Sequence, residues 1–272
     1  MDRSFSDNSR DRRIEDPTNL WLIHPISRAL LPWAVRLGVS ANLVSVAGLC
    51  FGAGAAFCYY HWPDWRFATA GLLLCIGWLV ADGLDGMVAR ATGTASALGR
   101  ILDGLCDHGV FGLVYISLAL SIGSLEAWAI GWAAAAAHAV QSSLYEGERI
   151  RYHRRLKGDP LPPPPLPSRI PLVRAYEAVA GSLDQAAAAF DARLAESPDR
   201  PRLIERYRDQ AARPMKAMAL LTSNVRVLAI YAACLAGNPI LFWLFEIIVL
   251  SPVALAGILW HRAAERITAR PL

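Results

Sequence analysis

From Leu43 to Trp62 the chain runs for twenty residues without a formal charge. At about 1.5 Å per residue a helix of that length crosses roughly 30 Å, the thickness of a bilayer's hydrocarbon core. Comparable apolar stretches follow at about 66–90, 98–121, 127–145, 217–235 and 239–260. Composition agrees with a chain built for lipid: 54% of residues are hydrophobic, 18% are charged and the mean hydropathy is +0.31. A soluble domain would sit nearer 45–50% apolar and about 25% charged. The expected fold class is therefore all-α, a polytopic membrane protein with six transmembrane helices and both termini on one side.

A seventh segment, Pro17–Gly38, is apolar but broken by Pro25, Arg28, Pro32 and Arg36, with Trp21 and Trp33 among them. Tryptophans with arginines suit a helix lying in the membrane interface ahead of the first crossing. Residues 1–16 are arginine-rich without an apolar core and read as a disordered cytosolic tail; 17–262 read as a single membrane-embedded domain, and 263–272 as a second cytosolic tail. Between the fourth and fifth crossings, 146–216 form a long cytosolic insertion. It opens on Arg149, Arg151, Arg154, Arg155 and Lys157, continues through a proline-rich run at 160–171, and ends in an amphipathic pattern from Leu172 to Leu194. That pattern predicts an accessory helix covering the bundle, capping a site or lying on the bilayer. The alanines at 133–137 favour close helix packing, within the bundle or across a dimer. Cys50, Cys58, Cys75, Cys106 and Cys234 are scattered through apolar segments, with neither zinc spacing nor a disulfide framework.

Lysine and arginine placement sets the expected orientation. The N-terminal tail and entry hold six, the long insertion fourteen, and Arg262 with the C-terminal tail three, whereas the opposite face holds only Arg66. The ends carrying Arg90 and Arg100 are therefore expected to face the cytoplasm, the membrane being the inner or plasma membrane if the cell is bacterial.

At those ends, residues 82–107 concentrate four acids. They read Asp82-Gly-Leu-Asp85-Gly86-Met-Val-Ala89-Arg90, then eight residues, then Gly99-Arg-Ile-Leu-Asp103-Gly-Leu-Cys-Asp107. Spacings of three and four place each pair on one helix face. The small residues 91–97 form a turn, so the two pairs meet on adjacent antiparallel helices. Ionisable groups bordering membrane helices are costly unless paired or bound to cations. Two facing carboxylate pairs make an oxygen-rich cage suited to a hard divalent cation. Gly86 and Gly99, lacking Cβ, allow backbone or ligand to approach closely. A merely solvated helix end would not require those glycines and an arginine in this register.

This stretch resembles the signature of the CDP-alcohol phosphatidyltransferases, Asp-x2-Asp-Gly-x2-Ala-Arg-x8-Gly-x3-Asp-x3-Asp, at all eight fixed positions: Asp82, Asp85, Gly86, Ala89, Arg90, Gly99, Asp103 and Asp107. The resemblance implies transfer of a phosphatidyl group from CDP-diacylglycerol to the hydroxyl of a small polar alcohol, such as inositol, inositol phosphate or glycerol 3-phosphate, with release of CMP. It implies two Mg²⁺ or Mn²⁺ ions on Asp82, Asp85, Asp103 and Asp107, with Asp107 also the general base. The CDP moiety would lie against Asp82, Gly86, Ala89, Arg90, Ser96 and Gly99, and Arg90 can fork onto phosphate oxygens. The partners expected are a CDP-linked lipid donor, an alcohol acceptor, the bilayer and a second copy of the chain in a homodimer, with no nucleic acid. The motif does not distinguish this reaction from transfer of a phospho-alcohol onto diacylglycerol. A magnesium-dependent polyprenyltransferase and a cation transporter are the more distant alternatives.

Outside the motif, Arg226 and Glu246 fall at similar depths in the fifth and sixth crossings, and two readings stand. They pair with one another, since buried charges need partners, or Arg226 lines an acceptor pocket with Gln141, Tyr145 and Arg149 of the fourth crossing.

Overall fold

The computed structural model describes residues 11–159 and 187–269, with the backbone alone over 97–103. The described residues contain helices and no strands. A π-helical turn, Asn19–Ile23, leads into α1 (His24–Arg36); α2 (Ala41–Tyr60), α3 (Trp65–Ala91), α4 (Ala97–Ile122) and α5 (Leu125–Lys157) follow. After the proline-rich run, which lies outside the described residues, come α6 at 187–196, α7 (Arg200–Met218) and α8 (Ser223–Leu235). The chain ends with α9 (Ile240–Leu244) and α10 (Ser251–Thr268), joined by a second π-helical turn, Phe245–Leu250.

Local chemistry sets the helix ends. Ser40 caps α2 by accepting from the Leu43 N–H at 3.3 Å, and Asp64 caps α3 by accepting from the Arg66 N–H at 2.9 Å. Two residues past Ala91, Gly93 adopts φ +68°, where the Thr94 N–H reaches the Ala89 carbonyl at 2.9 Å. This left-handed glycine closure stops α3 just after Arg90.

The number of crossings differs from the sequence expectation. Among the described residues four helices are long and apolar enough to cross a membrane: Ala41–Tyr60, Trp65–Ala91, Gly104–Ile122 and Ile240–Thr268. A fifth is reached only if Arg200–Leu221 and Ser223–Leu235, bent by 40° at their junction, count as one span. The expected fourth crossing lies in α5, whose 33 residues suffice in length, but His138, Gln141, Ser142 and Ser143 dilute its apolar character. The expected fifth breaks at Thr222, which is extended and starts α8. The 13 residues of α8 make only about 20 Å, short of the hydrocarbon core.

The chain divides into two compact units. The first comprises Asp16–Val140 and Leu221–Ser251. Its core gathers Ala55, Tyr59, Trp78, Val110, Phe111, Tyr115, Leu118, Ile230 and Trp243, all buried. Small residues set its helix approach: a Cβ on Gly52 of α2 would sit 2.2 Å from a Val110 methyl of α4, and one on Gly48 would sit 3.3 Å from Ala81 Cβ of α3. The expected interfacial segment is the Asn19–Ile23 turn with α1 and the residue after it, where Trp21, Trp33 and Leu37 are exposed, while the buried Ser27 donates from its hydroxyl to the Val80 carbonyl of α3 at 2.9 Å.

The second unit comprises Met1–Glu15, Gln141–Leu220 and Pro252–Leu272. Residues 11–15, expected in a disordered tail, are ordered here: Ile14 is 1% exposed and Tyr152 donates its hydroxyl to Asp11 at 2.8 Å. In the first unit Asp16 is likewise held, accepting from Thr222 at 3.1 Å and Asn224 at 3.3 Å. The described end of the amphipathic pattern, Ala187, Phe190 and Leu194, is buried, and Phe190 lies 5.0 Å from the Tyr207 ring of α7. Its earlier residues lie outside those described.

Candidate functional site

The acids of the 82–107 motif sit on two helices of the first unit, Asp82 and Asp85 near the end of α3 and Asp103 and Asp107 in the first turns of α4. Asp85 is 5% exposed and accepts a hydrogen bond from the Ser45 hydroxyl of α2 at 2.6 Å. Asp107 is half-buried and accepts from the indole N–H of Trp78 at 3.2 Å. Trp78 is itself 2% exposed and packs edge-on against Phe111 of α4. A hydrogen bond to the ionised form stabilises a carboxylate and holds its rotamer. Both donors are uncharged, so neither cancels its acid's charge.

The other residues expected at the site run from the end of α3 into α4. Arg90 is exposed at the end of α3, and its guanidinium would lie 3.3 Å from a Cβ on Gly86. The arginine therefore reaches back one turn across the glycine, as helical side chains four apart do. Ala89 is half-buried, and Ser96 is exposed in the turn before α4. Gly99 and Asp103 lie in α4, in the part described by backbone alone. The donor set is oxygen-only, and that chemistry fits a hard divalent cation.

Among the described side chains, one trio of potential metal ligands has its donor atoms within 4.8 Å of one another, and it lies elsewhere: Glu148, His261 and Glu265 of the second unit. Its partners argue against a cation. Glu148 accepts from Arg151 at 2.7 Å and from Arg262, and stands 2.6 Å from His261 Nδ1. Glu265 accepts from Arg155 and from Arg262, the latter at 2.6 Å. Arg155 also meets Asp191 at 2.8 Å and stacks over Phe190 and Tyr207. Three guanidiniums already neutralise the two glutamates, so a metal ion there would be repelled.

This network instead ties α5, α6, α7 and α10 together. Burial alone pushes the Glu148 carboxyl up, but the hydrogen bond to His261, with His261, Arg151 and Arg262 close by, brings it down from 4.5 to about 2. A depressed folded-state pKa contributes stability that is present above the unfolded value of about 4.5 and is lost as pH falls towards 2. Its size is on the order of 3 kcal/mol. Melting of the detergent-solubilised protein between pH 6 and pH 3 is expected to fall more steeply for the wild type than for Glu148→Gln. Equal slopes would remove Glu148 from the acid response.

Of the four residues expected at an acceptor pocket, Arg226 lies in the first unit and Gln141, Tyr145 and Arg149 in the second. Arg226 is 0% exposed, donating through Nε to Glu246 at 2.8 Å and through its guanidinium to the Leu221 carbonyl. Glu246, also fully buried, accepts from the Tyr115 hydroxyl and stands 3.1 Å from His138 Nδ1. Gln141 and Tyr145 are buried, and Arg149 pairs with Glu146 at 2.8 Å.

Ser45 and Trp78 were not singled out from the sequence. For Ser45 no signal was available beyond a hydroxyl in an apolar span. For Trp78 there was one: it precedes Asp82 by four residues and Asp85 by seven, and so shares their stripe on α3.

Comparison with known proteins bears on this site. Residues 38–156 match the family model described as CDP-alcohol phosphatidyltransferase, a segment containing every motif acid. The chain is similar to the CDP-diacylglycerol–serine O-phosphatidyltransferases of Mycobacterium bovis and Mycobacterium tuberculosis, 33% identical over 107 residues, covering 39% of this chain and 35% of each relative. The Mycobacterium leprae protein of the same name is 32% identical over 102 residues, 37% of this chain and 32% of that relative. The chain thus spans about a third of the length of these relatives.

Proposed function

We propose that this chain is a membrane phosphatidyltransferase of the EC 2.7.8 type, which transfers the phosphatidyl group of CDP-diacylglycerol to the hydroxyl of a small polar alcohol and releases CMP. The observation that carries this reading is the complete aspartate motif on α3 and α4, inside the segment that matches the family. In the reaction the acceptor oxygen forms a bond to the lipid-bearing phosphorus, the bond from that phosphorus to the CMP oxygen breaks, and the hydroxyl proton passes to the Asp107 carboxylate. Asp82, Asp85, Asp103 and Asp107 would hold two divalent ions, Mg²⁺ or Mn²⁺, which when bound offset the charge of the pyrophosphate. Arg90, exposed beside Gly86, forks onto phosphate oxygens. Gly86, Ala89 and Gly99 give the nucleotide close access to backbone, and Ser96 adds a hydroxyl from the turn.

Serine is the acceptor we favour, because it is the alcohol in the relatives' names. The burial of Arg226 removes one cation that a phosphorylated acceptor could have used. The charge of Arg226 is matched by Glu246, and we assign the arginine to that pair instead of to an acceptor pocket with Gln141, Tyr145 and Arg149. The distribution of lysine and arginine supports a site facing the cytoplasm. The homodimer belongs to the same proposal, packed through small residues of α5 such as the exposed Ala133 and Ala136.

The test is release of CMP from CDP-diacylglycerol by purified protein with Mg²⁺, compared across serine, glycerol 3-phosphate, inositol, inositol phosphate and choline. Release dependent on serine is expected. Release with a phosphorylated acceptor alone would overturn the choice of serine. No release with any alcohol would sink the enzyme reading itself.

A further inference from the structure

The structure places hydrogen-bond donors from outside the motif on two of its acids, and they come from different helices. Ser45 belongs to the first turns of α2, whose amino end is set by the Ser40 cap. It is 7% exposed, and its hydroxyl lies 2.6 Å from Asp85 Oδ2 and 3.2 Å from the Ala41 carbonyl. Trp78 belongs to α3 and reaches Asp107 Oδ1 across the α3–α4 contact.

Three physical points make these contacts more than packing. A carboxylate as buried as Asp85 is costly without a donor. The donors from Ser45 and Trp78 are neutral and add no positive charge of their own at the acid, unlike the arginines on Glu148 and Glu265. Finally, the approach of α2 is fixed one and two turns further on. Gly52 leaves no room for a Cβ against Val110, and a Cβ on Gly48 would crowd Ala81 at 3.3 Å, so Ser45 is held at hydrogen-bond distance by the interlocking of the helices.

We propose that Ser45 is a positioning residue for the metal-binding carboxylate Asp85, and that Trp78 does the same for Asp107. The proposal rests on the reading of 82–107 as the divalent-cation site. Donors that orient metal-binding side chains typically contribute 10–100-fold to metal affinity.

The experiment is Mn²⁺ binding to detergent-solubilised full chain, followed by the electron paramagnetic resonance signal of free Mn²⁺, with melting recorded without metal as a check on folding. Ser45→Ala is expected to bind Mn²⁺ about 10–100-fold more weakly while melting like the wild type. Ser45→Thr, which keeps the hydroxyl, is expected to recover most of that loss. Trp78→Phe, which removes the N–H and keeps a ring, is expected to weaken binding in the same direction. Asp85→Asn is the reference. If it loses Mn²⁺ affinity and Ser45→Ala does not, the positioning role is overturned while the metal site stands. Equal weakening in Ser45→Ala and Ser45→Thr would also overturn it, since the hydroxyl would not be the cause. If Asp85→Asn binds as the wild type does, the metal reading fails and the proposal fails with it.

Discussion

Asp107→Asn is expected to lower CMP release by about 10²–10⁴-fold, the usual contribution of a positioned general base. The amide is close in size to the carboxylate and keeps an oxygen that can accept from Trp78, so folding should be little changed. What is lost is the proton acceptor and one negative charge at the start of α4. The measurement is Mg²⁺-dependent CMP release under saturating CDP-diacylglycerol, with binding of CDP followed separately. A variant that keeps nucleotide binding and loses turnover supports the assignment. One that turns over within about tenfold of the wild type, below the range for such a base, would remove Asp107 from proton transfer.

The second large effect is on stability. Glu246 accepts from Arg226 and from Tyr115 at a site with no solvent exposure. Glu246→Leu leaves the guanidinium buried without its counter-charge, at an expected cost of about 3–5 kcal/mol. Removing both charges together, as Arg226→Met with Glu246→Leu, is expected to recover most of that loss, because well-packed apolar side chains often replace a buried pair without penalty. Unfolding of the detergent-solubilised protein measures both. A single variant as stable as the wild type, or a double variant as unstable as the single, would refute the pair's structural role. The acceptor's KM in the double variant should match the wild type, since Arg226 is assigned to Glu246 and not to substrate.

The contrast between Asp107 and Glu246 shows where sequence reasoning stops. The motif acids were legible because spacing along one helix is a local property: residues three and four apart share a face wherever the helix lies. The turn after Arg90 was legible for the same reason, since small residues at 91–97 interrupt two apolar runs. Pairing of Arg226 with Glu246 could be framed only as one of two options, because depth along a helix says nothing of its rotation. The six expected crossings relied on apolar length. The four or five found among the described residues reflect polar groups in α5 and a break at Thr222, whose cost or benefit depends on their neighbours.

The sequence by itself determined that this chain is helical, that it is built for a membrane, and that four aspartates with a glycine and an arginine gather at the ends of two consecutive helices. Each of these follows from hydrophobicity and helical periodicity, which act locally along the chain. Only the tertiary structure decided which side chains reach those acids. Ser45 meets Asp85, and Trp78 meets Asp107, because glycines let α2 lie close against α3 and α4. It likewise decided that Glu148 and Glu265, acids in a basic segment and at the far end of the chain, are held by arginines. Hydrogen bonds between helices depend on their mutual rotation and approach, and these are settled by packing between residues far apart in sequence.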